Sequence, residues 1–232
     1  MTQRYVLIGA GGTGTHLLHP LVNYLSTFHS DGDFDLGIMD GDEVEEKNLA
    51  RQLFTPADVL VNKAKAAVTP FRHLRNVIPI AEYLGDDNLS RYITEGSIVL
   101  IAVDNWPIRA KIEMHCLTMD NVVVINGGNE EESGSCQIWV RKDGKNETPP
   151  LSFLHPEIHD DGPDRATMSC QQIAALPGGE QLIIANMSSA MWMLTALMDY
   201  HRQTMVWTEL QFDLASGESI GLDQREKRGW MQ

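Results

Sequence analysis

The chain begins with an apolar block that ends at a glycine-rich turn. Residues 5–8 are apolar, which is typical of a short buried strand, and the sequence GAGGTG follows at 9–14. Residues 15–24 then place leucines and a valine at helical spacing. This order of strand, Gly-x-Gly-x-x-Gly turn and helix predicts the first unit of a nucleotide-binding α/β fold.

The rest of the chain continues as short apolar runs separated by polar turns. Strand-like runs that alternate with helical patterns predict parallel strands, and a hairpin turn at 216–217 predicts an antiparallel pair at the C-terminal end. The predicted fold class is therefore α/β: a Rossmann-like nucleotide-binding fold with a mostly parallel central sheet extended by antiparallel C-terminal strands. We predict strands at 34–39, 76–84, 97–103, 121–126, 135–140, 206–214 and 218–222, a turn at 127–129, and helices starting near 64 and spanning 106–118 and 181–200.

The predicted helix at 181–200 is apolar nearly all round. Such a helix is buried on most of its faces, either in a core or in a subunit interface. Because methionine adapts to irregular gaps, we interpret its methionines as packing residues rather than as part of a cofactor site.

Charge and cysteine content exclude several classes of function. The 232 residues include 18 Lys+Arg and 32 Asp+Glu, and the net charge of −14 argues against nucleic acid or an anionic membrane as the main partner. The three cysteines form no Cys-x-x-Cys pair, which fits a reducing compartment and gives no support for a structural zinc. No signal peptide is visible and no apolar run reaches about 18 residues, so we expect a cytoplasmic protein.

The glycines of the first turn have separate expected roles. Gly9 permits the tight turn, Gly11 lets a phosphate approach the backbone, and Gly14 lets the helix pack close to the strand. The helix N-terminus then offers free N–H groups and a partial positive charge to an anion. We assign these glycines, together with Gly12, to a phosphate-binding loop.

Polar residues beyond the second predicted strand favour a triphosphate over a nicotinamide cofactor. Asp40 ends that strand, where Rossmann folds bind ribose hydroxyls, although it lies 26 residues after Gly14 instead of the usual roughly 20. Arg51 and Lys63 follow; arginine can clamp phosphate oxygens and lysine supplies a point charge. Hydride transfer leaves both cations without a role, so an NAD-dependent oxidoreductase is the less favoured alternative.

Taken together, these motifs resemble the ThiF/MoeB family, the bacterial relatives of ubiquitin-activating enzymes, and in particular its compact plasmid- and phage-type members. The family pattern is a glycine loop, then D-x-D-x-V-x-x-x-N-L-x-R-Q, then a lysine, then an aspartate after the next core strand. The resemblance is closest over residues 4–130 and looser in the remainder. The matching residues are Gly9, Gly11, Gly12, Gly14, Asp40, Asp42, Val44, Asn48, Leu49, Arg51, Gln52, Lys63 and Asp104.

The resemblance implies an ATP-dependent adenylyltransferase. A carboxylate would attack the α-phosphate of ATP and give an acyl-adenylate and pyrophosphate, and the implied acceptor is the C-terminal glycine of a small β-grasp protein, either ubiquitin-like or a sulfur carrier. It also implies a homodimer and a single adenylation domain over 1–232, with an ATP-binding half at 1–130 and a partner-binding or dimer half at 131–232. The implied roles are the ribose for Asp40, the nucleotide for Asp42, Asn48 and Gln52, the phosphate clamp for Arg51, the triphosphate for Lys63, and Mg²⁺ for Asp104.

Three assignments have structural alternatives. Asp104 is also placed to cap the helix predicted at 106–118. Cys170 lies where many family members carry a cysteine that forms a thioester or persulfide link, which makes it a catalytic candidate, but a small buried core residue is the alternative. His155 and His159 have no further pair of ligands nearby, so a zinc site is disfavoured there.

The sequence departs from the family pattern in three ways. It lacks the paired Cys-x-x-Cys motifs, so we expect no structural zinc. From the sequence as it stands, we also expect no helix before the first strand to supply the arginine that in many family members reaches the partner subunit's ATP, and no rhodanese-like or ubiquitin-fold extension. A nucleotide-binding docking module without catalytic activity therefore stays open as an alternative, although a docking module need not keep both Arg51 and Lys63.

Overall fold

The computed structural model describes residues 2–29, 32–159 and 182–226. Within these residues, the chain forms a three-layer α/β architecture, with helices on both faces of one central sheet. The strands are β1 (Gln3–Ile8), β2 (Phe34–Met39), β3 (Val77–Ile80), β4 (Ile98–Ile101), β5 (Val122–Asn129), β6 (Ser133–Lys142), β7 (Lys145–Asn146), β8 (Glu209–Asp213) and β9 (Glu218–Leu222). The helices are α1 (Gly12–Phe28), α2 (Lys63–Val68), α3 (Leu89–Tyr92), α4 (Trp106–Cys116), α5 (Leu151–Leu154) and α6 (Ile183–Arg202).

The order of the strands confirms the predicted fold class. The sheet runs β3-β2-β1-β4-β5-β6-β8-β9, with β7 paired to the far end of β6. The first five strands are parallel to one another, whereas β6, β8 and β9 pair antiparallel. No helix in the described part of the chain is both long and apolar enough to cross a membrane.

Two apolar layers hold the helices against the sheet. On one face, α1 and α6 contribute residues such as Leu21 and Leu197, which pack on Leu7 and Leu36 of the strands. On the other face, α4 contributes Ile112, which packs with the strand residues that point away from α1. Because parallel strands of the central sheet are covered on both faces, their buried residues are almost all apolar, as such sheets require.

Most predicted elements overlap observed ones, but several boundaries differ, and the strand predicted at 76–84 is shorter because β3 ends at Ile80. The predicted strand 34–39 matches β2, and α1 continues to Phe28, which accounts for the long interval between Gly14 and Asp40. The turn predicted at 127–129 is wrong, because these residues continue β5 and pair with 134–136 of β6. Gly127 is required there by packing: a Cβ would lie 2.3 Å from the Met193 sulfur of α6.

Candidate functional site

The glycine turn between β1 and α1 is shaped by close contacts on two of its glycines and by open space at a third. Gly9 has φ +97° and a Cβ there would lie 2.7 Å from the Ala102 carbonyl oxygen, while a Cβ on Gly14 would lie 1.9 Å from the Gly9 carbonyl oxygen. Above Gly11, by contrast, the nearest heavy atom to a Cβ position is Nε2 of Gln52 at 3.9 Å. The turn therefore leaves a cradle above Gly11 with a side-chain amide at its edge.

The N-terminus of α1 opens at this cradle. Gly11 is the N-cap and supplies no side chain to cap the helix, and the first turn holds no acidic residue. The first N–H groups of a helix without a capping side chain, together with the partial positive charge there, make an anion-binding position.

Asp40 ties the end of β2 to the glycine turn. Its Oδ2 accepts a hydrogen bond from the Ala10 N–H at 2.7 Å, and its Oδ1 accepts one from the Asp42 N–H at 2.9 Å. Burial raises the pKa of Asp40, although the charge of Lys63 and these hydrogen bonds oppose the increase. The carboxylate therefore lies at the carboxyl end of the sheet, beside the predicted phosphate loop.

Lys63 begins α2 and is paired with Asp42. The Lys63 Nζ donates to Asp42 Oδ2 at 2.8 Å, and the Tyr83 hydroxyl donates to Asp42 Oδ1 at 2.6 Å. Burial alone would raise the pKa of Asp42, but these two hydrogen bonds outweigh it and the pKa is lowered. Lys63 itself is only 8% exposed, so its ammonium group is held at the site as a nearly buried charge.

The predicted phosphate-lining segment forms a 3₁₀ turn, Glu46–Ala50, followed by Arg51 and Gln52. Asn48 is buried, and its Oδ1 accepts a hydrogen bond from the Glu45 N–H at 2.9 Å, so it stabilises the turn itself. Gln52 is 6% exposed and its Oε1 lacks a hydrogen-bond partner in the described structure. The turn thus delivers the Gln52 amide to the cradle above Gly11.

Asp104 lies just beyond β4 and is exposed. The alternative that it caps α4 is wrong, because the N-cap is Asn105, whose Oδ1 accepts a hydrogen bond from the Ile108 N–H at 3.1 Å. The Asp104 carboxylate is therefore not committed to the helix. It stands where ligands bind in open α/β sheets, outside the carboxyl ends of the strands.

Arg109 of α4 is a charged residue at the site that sequence reasoning missed. Its Nη2 donates to the Val103 carbonyl at 2.6 Å and to the Gly127 carbonyl at 3.1 Å, which ties the ends of β4 and β5 together. Burial lowers its pKa to about 10, against the opposing effect of the Asp104 and Glu157 charges. The sequence feature that could have identified Arg109 is the presence of an arginine in the first turns of the helix that follows Asp104.

Asn186 of α6 is the second missed residue. A Cβ on Gly12 would lie 2.5 Å from its amide atoms, and its Oδ1 accepts hydrogen bonds from Asn129 Nδ2 at 3.2 Å and Thr13 Oγ1 at 3.4 Å. No pattern marked it, because it lies among apolar residues of a helix 172 or more positions after the glycine turn. The network places α6 directly against the start of α1.

Other predicted residues lie elsewhere or outside the described residues. Cys170 falls in the undescribed interval 160–181. His155 forms ion pairs with Glu157 at 2.9 Å and Glu209 at 3.3 Å, and the described residues contain no group of three metal-ligating side chains. His155 is therefore part of an ion-pair cluster with these two carboxylates, and His159 Nε2 lies 3.5 Å from Glu113 Oε1.

The predicted residues that the structure brings to one edge of the sheet come from four segments. They are the glycine turn, the end of β2 with Asp40 and Asp42, the segment from Asn48 to Lys63, and the end of β4 with Asp104. Gly9 N donates to the Met39 carbonyl at 2.8 Å and Ala102 N to the Ile8 carbonyl at 2.8 Å, so the three strand ends are adjacent. This edge therefore offers a positive charge, uncapped N–H groups and carboxylates close to one another.

Comparison with known sequences gives a family and several relatives. A model of the ThiF family matches residues 1–226. Adenylyltransferase and sulfurtransferase MOCS3-1 of Zea mays is 35% identical over 123 residues, which cover 51% of this chain and 25% of that protein. Molybdopterin-synthase adenylyltransferase of Escherichia coli is 27% identical over 147 residues, covering 62% of this chain and 56% of that protein. The chain spans between 25% and 56% of the length of these two relatives.

Comparison with solved structures gives the same fold. The crystal structure of E. coli MccB with ATP has a TM-score of 0.70 at 16% identity and covers 95% of this chain and 64% of that chain. The structure of E. coli MccB with MccA-N7isoASN also has a TM-score of 0.70, at 17% identity, and covers 96% of this chain and 65% of that one.

Proposed function

Because this chain belongs to the ThiF family, we propose that it is an ATP-dependent adenylyltransferase, which activates a carboxylate as an acyl-adenylate and releases pyrophosphate. The relatives named above as adenylyltransferases support this activity. The fold shared with MccB, whose structure holds ATP, is in keeping with it.

The observation that carries the proposal is the cradle above Gly11 and the groups around it. The uncapped start of α1 and the Gln52 amide, 3.9 Å from the open position, both face an incoming phosphate. The nearly buried ammonium of Lys63 lies on the adjoining segment. A polyphosphate can interact with all three groups at once, because it is both a strong hydrogen-bond acceptor and multiply charged.

In the proposed reaction, the protein positions ATP and offsets the charge that develops on its phosphates. The loop of Gly9, Gly11, Gly12 and Gly14 binds phosphate oxygens through the N–H groups at the start of α1, with Gly9 shaping the turn, and Asp40 accepts hydrogen bonds from the ribose. Arg51 clamps the phosphates, with Asn48, Gln52 and Asp42 in the same lining, and Lys63 neutralises the triphosphate. Attack by the acceptor carboxylate then forms the bond to the α-phosphorus as the bond to pyrophosphate breaks.

Asp104 is the residue we assign to Mg²⁺. Mg²⁺ in nucleotide sites is usually held by one or two carboxylates and by substrate phosphates, so one exposed carboxylate at this edge fits the ion. The ion would neutralise part of the charge of the phosphates. Arg109 ties the loop that carries Asp104 to β5.

The acceptor in this proposal is the C-terminal carboxylate of a small ubiquitin-like or sulfur-carrier β-grasp protein. One relative in support is SUMO-activating enzyme subunit 2 of Dictyostelium discoideum, 31% identical over 151 residues that cover 63% of this chain and 21% of that protein. We propose that residues 1–130 bind ATP and that residues 131–232 bind the acceptor or a second subunit. Cys170 remains a candidate for a covalent link to the activated acceptor.

We also propose a homodimer that forms through α6. The residues Ile183, Ile184, Met187 and Met191 lie on its outer face and are 45–53% exposed. An exposed stripe of large apolar residues on an otherwise buried helix is typical of a subunit interface.

A thermal-shift experiment tests the nucleotide site without knowledge of the acceptor. Wild-type protein is melted with Mg-ATP and with NADH, next to Arg51→Ala and, as a matched control, Arg72→Ala, which removes an exposed arginine outside the site. A ligand at a hundred times its dissociation constant adds about 2.7 kcal/mol to the free energy of unfolding. We expect Mg-ATP to stabilise wild type and Arg72→Ala but not Arg51→Ala.

Three other outcomes would contradict the proposal or a part of it. Stabilisation by NADH alone would favour the oxidoreductase. Equal stabilisation of all three proteins by Mg-ATP would remove Arg51 from the phosphate clamp. If Mg-ATP stabilises the protein yet no acceptor supports ATP–pyrophosphate exchange, the docking module becomes the better description.

A further inference from the structure

Tyr83 presents an exposed aromatic ring at the nucleotide edge of the sheet. It lies three residues beyond β3, the strand next to β2, and is 70% exposed. Large exposed apolar side chains normally gain little from a fixed position, because their rotamers are free in water. Tyr83 is instead held in place by two contacts, and the fixed position of so exposed a side chain requires an explanation.

The first point is the hydroxyl, which donates to Asp42 Oδ1 at 2.6 Å. The Asp42 carboxylate raises the pKa of Tyr83 to about 12, so the hydroxyl stays protonated and keeps donating at neutral pH. Because Lys63 occupies the other carboxylate oxygen at 2.8 Å, the tyrosine is connected to the cation of the phosphate site through one side chain.

The second point is the ring, which lies on Gly41. A Cβ at Gly41 would be 2.5 Å from two ring carbons and 2.6 Å from a third, so any other residue at this position would displace the ring. Gly41 separates Asp40, which we assign to the ribose, from Asp42. One face of the ring therefore covers the backbone between the two acids, and the 70% exposed side chain leaves the rest of the ring free.

We propose that Tyr83 is the stacking platform for the base of the bound nucleotide, an inference that rests on the nucleotide site proposed above. The base is joined to the ribose, and the ring stands on the residue that follows the ribose acid, so the order phosphate, ribose, base runs from the glycine turn to Tyr83. Aromatic side chains stack on any base and add affinity without hydrogen-bond selection. Asp42 acts as a positioning residue, since it holds both the ring and Lys63.

The test compares a ligand that has a base with one that lacks it. Binding of Mg-ATP and of Mg-tripolyphosphate is measured by calorimetry for wild type, Tyr83→Ala and Tyr83→Phe, with Phe28→Ala as control. Phe28 is an aromatic residue 46% exposed at the opposite end of α1. We expect Tyr83→Ala to weaken Mg-ATP at least about fivefold and to leave tripolyphosphate unchanged, because only the stacking contact is lost.

Two further variants, Tyr83→Phe and Gly41→Ala, distinguish the effect of the ring from the effect of the contacts that hold it in place. Tyr83→Phe keeps the ring but not the hydroxyl, so its loss of Mg-ATP affinity should lie between those of wild type and Tyr83→Ala. Gly41→Ala keeps Tyr83 but displaces the ring, and should weaken Mg-ATP without weakening tripolyphosphate. Phe28→Ala should match wild type for both ligands.

Each remaining outcome counts against the inference. Unchanged Mg-ATP affinity in Tyr83→Ala overturns it and leaves the proposed function intact. Equal weakening of both ligands in Tyr83→Ala means that the residue acts on the phosphate site through Asp42 and not on the base. If wild type binds tripolyphosphate as tightly as ATP, no base site exists, and if it binds neither ligand, the proposed nucleotide site fails as well.

Discussion

At the scale of single residues, Leu60 carries backbone strain three positions before Lys63. Its φ is +67°, in the left-handed region that is unfavourable for a residue with a Cβ, and its side chain is 76% exposed. The position is fixed by the turn around it, where the Leu60 N–H donates to the Val44 carbonyl and the Val44 N–H donates to the Val61 carbonyl. Because the side chain is exposed, its burial contributes little free energy to offset this strain.

Leu60→Gly should therefore stabilise the protein. Relief of the left-handed penalty, offset in part by the greater entropy of glycine in the unfolded chain, should raise the free energy of unfolding by about 0.5 kcal/mol. Urea denaturation measures this change in the free energy of unfolding, provided that the m-value is the same in both proteins. The control is Leu53→Gly, also exposed but with an ordinary φ, which should destabilise; a loss of stability in Leu60→Gly would contradict the strain argument.

Single residues also show the limit of what the sequence can predict about the site. The spacing of the acids, the arginine and the lysine placed the candidate residues on one edge of the sheet. It could not predict that Asp42 pairs with Lys63, or that Asn48 stabilises its own turn, because both contacts depend on side-chain positions that only the folded chain determines. Arg109 and Asn186 were missed because each lies in a helix whose pattern alone indicates packing.

At the scale of elements, His155 and Glu209 join the turn after α5 to β8. The His155 Nε2 lies 3.3 Å from Glu209 Oε1, and Glu209 is 3% exposed. The carboxylates of Glu209 and Glu157 raise the pKa of His155. Burial tends to raise the pKa of Glu209, but His155 and two glutamines outweigh it and the pKa is lowered.

This pair should make stability depend on pH. The raised pKa of His155 gives a contribution that is full below its unfolded pKa of 6.5 and is lost as pH rises through the folded value. The lowered pKa of Glu209 gives a contribution present above 4.5 and lost as pH falls through its folded value. His155→Gln should therefore lower the free energy of unfolding most between pH 4.5 and 6.5, by about 1–2 kcal/mol.

The measurement is the free energy of unfolding of wild type and variant from pH 4 to pH 9. The matched control is His73→Gln, an exposed histidine for which the difference from wild type should stay flat across that range. A His155→Gln difference that does not shrink above neutral pH would show that the ion pair does not stabilise this junction.

Paired glycines at the end of an apolar run made one strand end hard to predict. Strand β2 was predicted at its observed limits, whereas β5 was cut short because Gly127 and Gly128 read as a turn. Gly127 serves packing, because a Cβ there would lie 2.3 Å from the Met193 sulfur, and Gly134 of the neighbouring strand serves it too, because a Cβ there would lie 2.4 Å from the Gly128 carbonyl oxygen. A single sequence cannot distinguish a glycine needed for close packing from one needed for a turn.

At the scale of the whole molecule, the exposed face of α6 predicts self-association. Met187→Glu would place a charge in the centre of the proposed interface and should weaken the dimer at least about tenfold. Sedimentation velocity across a concentration series measures this, with Val206→Glu as control, because Val206 is 74% exposed and lies outside α6. A wild-type protein that stays monomeric throughout the series would contradict the dimer.

The Lys63–Asp42 pair has a consequence for the whole molecule, whose net charge is −14. The site already contains an anion of its own before any ligand arrives, so nucleotide binding is an exchange of one counter-ion for another. A singly charged ion gains nothing by replacing a carboxylate that is tethered and partly dehydrated. At the proposed site, a ligand with several charges that also reaches the start of α1 would replace this carboxylate more readily than a singly charged ion would, and this would let an acidic protein bind a polyanion in the presence of simple salts.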